Sequence, residues 1–69
     1  MHSTIRINGE HAPLNVATVY ELLRSKNINP ESRGVAIALN GTVLPRRAWA
    51  DTSLSHGDTV EIVKAFAGG

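Results

Sequence analysis

The sequence predicts an α+β domain, a mixed sheet of about five strands with one helix packed on one face. Three observations carry this expectation. Short runs that alternate apolar and polar residues recur along the chain, with the period of a half-buried strand. Two Asn-Gly pairs, Asn8-Gly9 and Asn40-Gly41, each stand between such runs, where a tight hairpin turn is expected because both residue types tolerate positive φ. One helix start interrupts the strands. The order is strand, strand, helix, strand, strand, strand, which gives a mixed sheet covered by a single helix.

The first strand is Thr4-Ile5-Arg6-Ile7-Asn8. The Asn8-Gly9 turn leads to a second short strand around His11 to Val16. Pro13 lacks an N–H, so this strand belongs at a sheet edge. Thr18-Val19-Tyr20-Glu21 matches a capping box, with Thr18 as N-cap and Glu21 reaching back from the third position. Val19, Leu22 and Leu23 share one helical face. The helix should end near Asn27, with Pro30 beyond it as a stop, and Asn29 to Gly34 forms a polar loop. Val35-Ala36-Ile37-Ala38-Leu39 is the most apolar strand. Val35, Ile37 and Leu39 are expected to face the helix, leaving Ala36 and Ala38 on a flat opposite face. After the Asn40-Gly41 turn comes Thr42-Val43-Leu44, closed by Pro45. Arg46 to Leu54 looks irregular, with Trp49 as a plug at one end of the core. Ser55-His56-Gly57-Asp58 is a turn, and Thr59 to Lys64 is the last strand. If that strand lies beside the first, the topology is the ubiquitin-like β-grasp. Residues 1–64 then form the β-grasp body, and residues 65–69 an extended C-terminal Gly-Gly tail.

Length and composition restrict the function. Sixty-nine residues make one domain, and a chain of this size buries only about 60% of its unfolded surface. Seventeen Leu, Ile and Val residues support one small core, with no room for a buried catalytic cleft. A net charge of +1 supplies no strong field to steer the chain to nucleic acid or to a membrane. No cysteine is present, which excludes disulfides, a thiolate nucleophile and Cys-ligated zinc. His2, His11 and His56 have no metal-ligand spacing, so no metal is expected. No P-loop pattern occurs, so any ATP must be bound elsewhere. No apolar stretch reaches bilayer length, and no secretory segment follows Met1. The expected location is cytoplasmic.

The end of the sequence is the most distinctive stretch. Ala65-Phe66-Ala67-Gly68-Gly69 follows the last apolar strand directly. Glycine has no Cβ, so a Gly-Gly end fits slots closed to other residues. Five extended residues reach at most about 17 Å. The α-carboxylate is anionic at neutral pH, and an anionic carboxylate is a poor electrophile that must be activated before it can react. The competing reading is a loose terminus without chemistry.

The motifs now point to a family. Asn40 through Trp49 (NGTVLPRRAW) resembles the Asn-Gly, apolar, Pro-Arg, Trp segment of bacterial sulfur carriers for thiamine thiazole synthesis, the ThiS family. Leu54 through Val63 (LSHGDTVEIV) is similar to that family's Leu-x-x-Gly-Asp-x-apolar-Glu-Ile segment, Thr18 to Leu23 to its helix start, and Gly68-Gly69 to its end. Phe66-Ala67 departs from it, standing where members often carry aliphatic residues. The small subunit of molybdopterin synthase shares the fold and the Gly-Gly end, but tends to carry prolines before its last residues, and this tail has none.

The resemblance implies a protein cosubstrate rather than an enzyme, with no bound cofactor. An E1-like adenylyltransferase, using ATP and Mg, would adenylate the Gly69 carboxylate. A sulfur donor such as a cysteine desulfurase system would convert it to a thiocarboxylate, and thiazole synthase would take the sulfur. Phe66, Ala67 and Gly68 would enter the partner's active site with it. Ala36, Ala38, Arg46 and Arg47 are candidates for a partner surface. Each has a plainer alternative: Phe66 packed on its own sheet, the alanines in ordinary partial exposure, and the arginines in a solvated loop. A ubiquitin-like interaction module with an inert end is the alternative for the whole chain.

Overall fold

The computed structural model describes residues 3–64. Its elements are β1 (Thr4–Ile7), β2 (Glu10–Pro13), α1 (Val19–Ser25), β3 (Val35–Leu39), β4 (Thr42–Leu44), a 3-10 helix (Arg46–Asp51) and β5 (Thr59–Lys64). One five-stranded sheet has the order β2-β1-β5-β3-β4. β5 runs parallel to β1 and antiparallel to β3, and both hairpins are antiparallel. The last strand therefore lies beside the first, and the fold is the expected mixed-sheet, ubiquitin-like β-grasp.

The two Asn-Gly turns explain the hairpins. Asn8 and Gly9 have φ of 50° and 87°, and Asn40 and Gly41 have 52° and 86°. Positive φ at both central residues marks a type I′ turn, whose twist matches that of paired strands. The tightness of the first turn corrects the expected span of the second strand. Ile7 pairs with Glu10 across only two turn residues, so β2 starts at Glu10 rather than His11. It ends at Pro13, opposite Thr4, where β1 begins. Leu14 donates one further backbone bond to Ser3, at 2.8 Å, and Leu14 and Val16 then pack on the core from the connecting segment. β2 is an edge strand, which accommodates Pro13.

The helix is closed at both ends. The Thr18 hydroxyl accepts from the Glu21 N–H at 3.2 Å, and Glu21 Oε1 accepts from the Ala17 N–H at 3.0 Å. At the other end Asn27 has φ of 61°. Its N–H reaches the Arg24 carbonyl at 3.1 Å, while the Ile28 N–H reaches Leu23 at 2.9 Å. That pair of bonds is a Schellman motif, here with asparagine in the left-handed position. Ile28 is half-buried against the core, as the motif's apolar contact requires.

Ile5, Ile7, Ile37, Val60 and Ile62 from the sheet meet Val19, Leu22 and Leu23 from α1 in the core, joined by Trp49 and Leu54. Ile37 is buried, with Val35 and Leu39 half-buried beside it, as the strand alternation predicts. Arg46 to Asp51 is a 3-10 helix rather than irregular chain, six residues making about two turns. It seats Trp49 at 2% exposure, where the indole N–H donates to the Leu44 carbonyl at 3.1 Å. A buried indole N–H needs such a partner. Among the described residues, no helix is long and apolar enough to cross a membrane.

Candidate functional site

β5 is the strand that precedes residues 65–69 in the sequence, and the fold grips it from both sides. β3 pairs with it from Val60 through Lys64, the last register pair being Val35 with Lys64. On the other side, β1 pairs with it only at Arg6–Thr59 and Ile7–Val60. Asn8 then takes over. Its backbone N–H donates to Val60 at 2.9 Å. Its side chain accepts from the Ile62 N–H at 2.8 Å and donates to the Ile62 carbonyl at 3.2 Å. The side-chain amide thus copies a strand's peptide group and extends the ladder by one residue.

Asn40, in the second turn, does the same at the start of the strand. Its N–H donates to Thr59 at 2.7 Å. Its Oδ1 accepts from the Thr59 N–H at 2.9 Å, and its Nδ2 donates to Asp58 Oδ1 at 3.1 Å. Asp58 Oδ2 in turn accepts from the Ser55 N–H at 2.8 Å and fixes the preceding turn. Each Asn-Gly turn therefore makes a hairpin and also clamps the tail-bearing strand. The hairpin role was visible in the dipeptide. The clamp was not, because nothing in the local sequence says which distant strand lies beside the turn.

Gly69 and the tail residues Phe66, Ala67 and Gly68 lie outside the described residues. The other sequence-derived candidates fall into two places. Ala36 is exposed and Ala38 half-buried on the sheet face opposite the helix. Register sets Val43 beside Ala38 and Val63 beside Ala36. Val43 is 73% and Val63 59% exposed. The four form an apolar band across β4, β3 and β5, next to Glu61, which pairs with Ala38. The two valines were missed from sequence, although each sits at an outward position of its strand's alternation.

Arg46 and Arg47 belong to the 3-10 helix, and both are exposed. Arg46 also has an internal role. Its guanidinium donates to the Pro30 and Ser32 carbonyls, the latter at 2.6 Å, and lies 4.8 Å from the centroid of the Trp49 ring. It straps the 29–34 loop to the helix that holds the tryptophan. The planar fork of arginine suits two carbonyls and an aromatic face together. Among the described residues, no group of three or more His, Cys, Asp and Glu side chains is placed to hold a metal ion.

The model of the ThiS family matches residues 4–69, a span that runs from β1 through the Gly-Gly end. The sulfur carrier protein ThiS of Thermus thermophilus is 36% identical over 63 residues, 91% of this chain and 95% of that protein. The sulfur carrier protein ThiS of Escherichia coli is 35% identical over 52 residues, 75% of this chain and 76% of that one. The crystal structure of a thiamine biosynthesis protein (ThiS) from Geobacter metallireducens superposes with a TM-score of 0.77 at 32% identity, covering 96% of this chain and 99% of that one.

Proposed function

Because the chain belongs to the ThiS family, we propose that it is a sulfur carrier of thiamine biosynthesis whose reactive group is the Gly69 carboxylate. The observation that carries this reading is the family match through residue 69, on a chain whose β5 leads straight into the Gly-Gly segment. A partner E1-like adenylyltransferase supplies ATP and Mg. The carboxylate oxygen attacks the α-phosphorus, pyrophosphate leaves, and the acyl-adenylate is an electrophile where the free anion was not. A sulfur nucleophile then forms the C–S bond as AMP departs: hydrosulfide gives the thiocarboxylate directly, whereas a persulfide from a donor such as a cysteine desulfurase system gives an acyl disulfide, whose S–S bond a thiol cleaves to release the thiocarboxylate. Thiazole synthase consumes the resulting thiocarboxylate.

The body's contribution is presentation. A tail reaching at most about 17 Å delivers its end reproducibly only if its root is fixed. Here the root is held by the β3 ladder on one side and the Asn8 side chain on the other. The band of Ala36, Ala38, Val43 and Val63 gives the sheet an apolar surface for the enzyme to cover, and Phe66, Ala67 and Gly68 enter the enzyme's channel. Arg47 remains a candidate contact at the side of this surface, whereas Arg46 works chiefly as the internal strap.

The test is intact mass spectrometry after incubation with the cognate adenylyltransferase, ATP, Mg and a sulfide source. The expected change is the replacement of one oxygen by sulfur. Neither an adenylate nor a mass change would leave the inert-module alternative in its place.

A further inference from the structure

The sequence spreads its seven basic residues along the chain, but the fold gathers four of them at one end. Arg24 is in the last turn of α1, Lys26 caps it, Arg33 lies in the loop before β3, and Lys64 ends β5. All four are exposed. They rim three shallow clefts that meet at Ile28. One is bordered by Lys26 and Lys64, the second by Arg24, and the third by Arg33 and Lys64. Glu10 is the one carboxylate on the walls of these three clefts. The helix dipole accounts for two of the cations, since basic groups are favoured at a helix C-terminus. It does not account for Arg33 and Lys64, which the topology brings in from a loop and from the end of the central strand.

Position gives this basic collar its meaning. The tail begins immediately after Lys64. Its five residues span at most about 17 Å, so an enzyme that holds the Gly69 carboxylate must bring the mouth of its channel within that distance of Lys64. The collar therefore faces the enzyme's rim in any productive complex. Four cations set against a neutral or basic rim would oppose docking, whereas an acidic rim would steer it and fix its orientation.

We propose that Arg24, Lys26, Arg33 and Lys64 form a docking collar for an acidic rim around the tail channel of the adenylyltransferase. The inference rests on the carrier reading above and adds a second contact to it, electrostatic and separate from the apolar sheet band. Its role lies in encounter and orientation, not in the chemical step. Salt should weaken it, because exposed charges are screened within about 8 Å at physiological ionic strength.

The test compares steady-state adenylation of the full chain with that of an Arg24→Glu/Arg33→Glu double variant and an Arg6→Glu control, at low and high NaCl. Arg6 is exposed on β1 and lines none of the three collar clefts. Circular dichroism establishes that each variant is folded. At low salt the double variant should show a KM raised about tenfold with kcat unchanged, a difference that shrinks at high salt. The control should stay near the parent chain.

An unchanged KM at low salt, with the parent chain adenylated normally, overturns the collar and leaves the carrier reading standing. A parent chain that is never adenylated overturns both. An oligonucleotide anisotropy arm covers the other class of polyanion. Low-salt binding that is lost in the double variant while KM stays unchanged would assign the collar to nucleic acid instead.

Discussion

Replacing Asn8 tests how the tail-bearing strand is held. Its side chain makes two part-buried hydrogen bonds to the Ile62 peptide, at 2.8 and 3.2 Å, and its backbone sits at φ of 50°. Two substitutions separate these contributions. Asn8→Gly keeps the positive φ accessible and removes only the side-chain bonds. At a net of about 1 kcal/mol each, the loss is about 2 kcal/mol. Asn8→Ala removes the same bonds and adds up to about 1 kcal/mol, because it keeps the β-carbon in the left-handed region without the polar side chain that lets asparagine tolerate it.

A change of 1 kcal/mol moves the melting temperature of a 60–100-residue domain by about 4–8 °C. The glycine variant should therefore melt about 8–16 °C below the parent, and the alanine variant lower still. Thermal unfolding followed by circular dichroism gives both values. Amide hydrogen exchange at Ile62 should accelerate in both variants beyond what the global loss explains, since its N–H loses its acceptor. A glycine variant that melts within about 2 °C of the parent would refute the clamp. The equivalent Asn40→Gly change should cost less, about 1 kcal/mol, because its bonds are solvent-exposed.

Three further outcomes are expected. Arg46→Met should keep the stem over Trp49 while losing the bonds to the Pro30 and Ser32 carbonyls. Chemical denaturation should show a loss of about 1–2 kcal/mol, and Arg46→Lys should not restore it. Ala36→Asp, at an exposed position in the apolar band, should leave stability within about 0.5 kcal/mol while raising the KM for adenylation several-fold. An unchanged KM would remove the band from the docking surface. Gly68→Val should abolish adenylation with an unaltered melting curve, because a β-branched side chain blocks a slot shaped for glycine.

Much of the fold was legible because its signals are local. Asn8-Gly9 and Asn40-Gly41 announce their hairpins through the φ angles they tolerate. Thr18 and Glu21 announce the helix start through capping. Val35, Ile37 and Leu39 show their inward face through alternation. The 3-10 helix was hidden, because six residues, about two turns at three residues each, hold no period long enough to detect. The early end of β2 was hidden too, because it is set by where β1 begins.

The candidate surface divides the same way. Ala36 and Ala38 stood out as small residues in an apolar strand, but their neighbours Val43 and Val63 follow from register between strands. The second roles of Asn8, Asn40 and Arg46 depend on chain segments distant in sequence. So does the collar, whose members lie as far apart as Arg24 and Lys64.

The central claim is that the last glycine's carboxylate is the reactive group and that the body exists to present it. Its most direct test is adenylation of a chain lacking only Gly69, measured by AMP incorporation with the cognate adenylyltransferase beside the intact chain. The account predicts incorporation into the intact chain, none into the shortened one, and identical unfolding curves for the two. A shortened chain that still accepts AMP would contradict it.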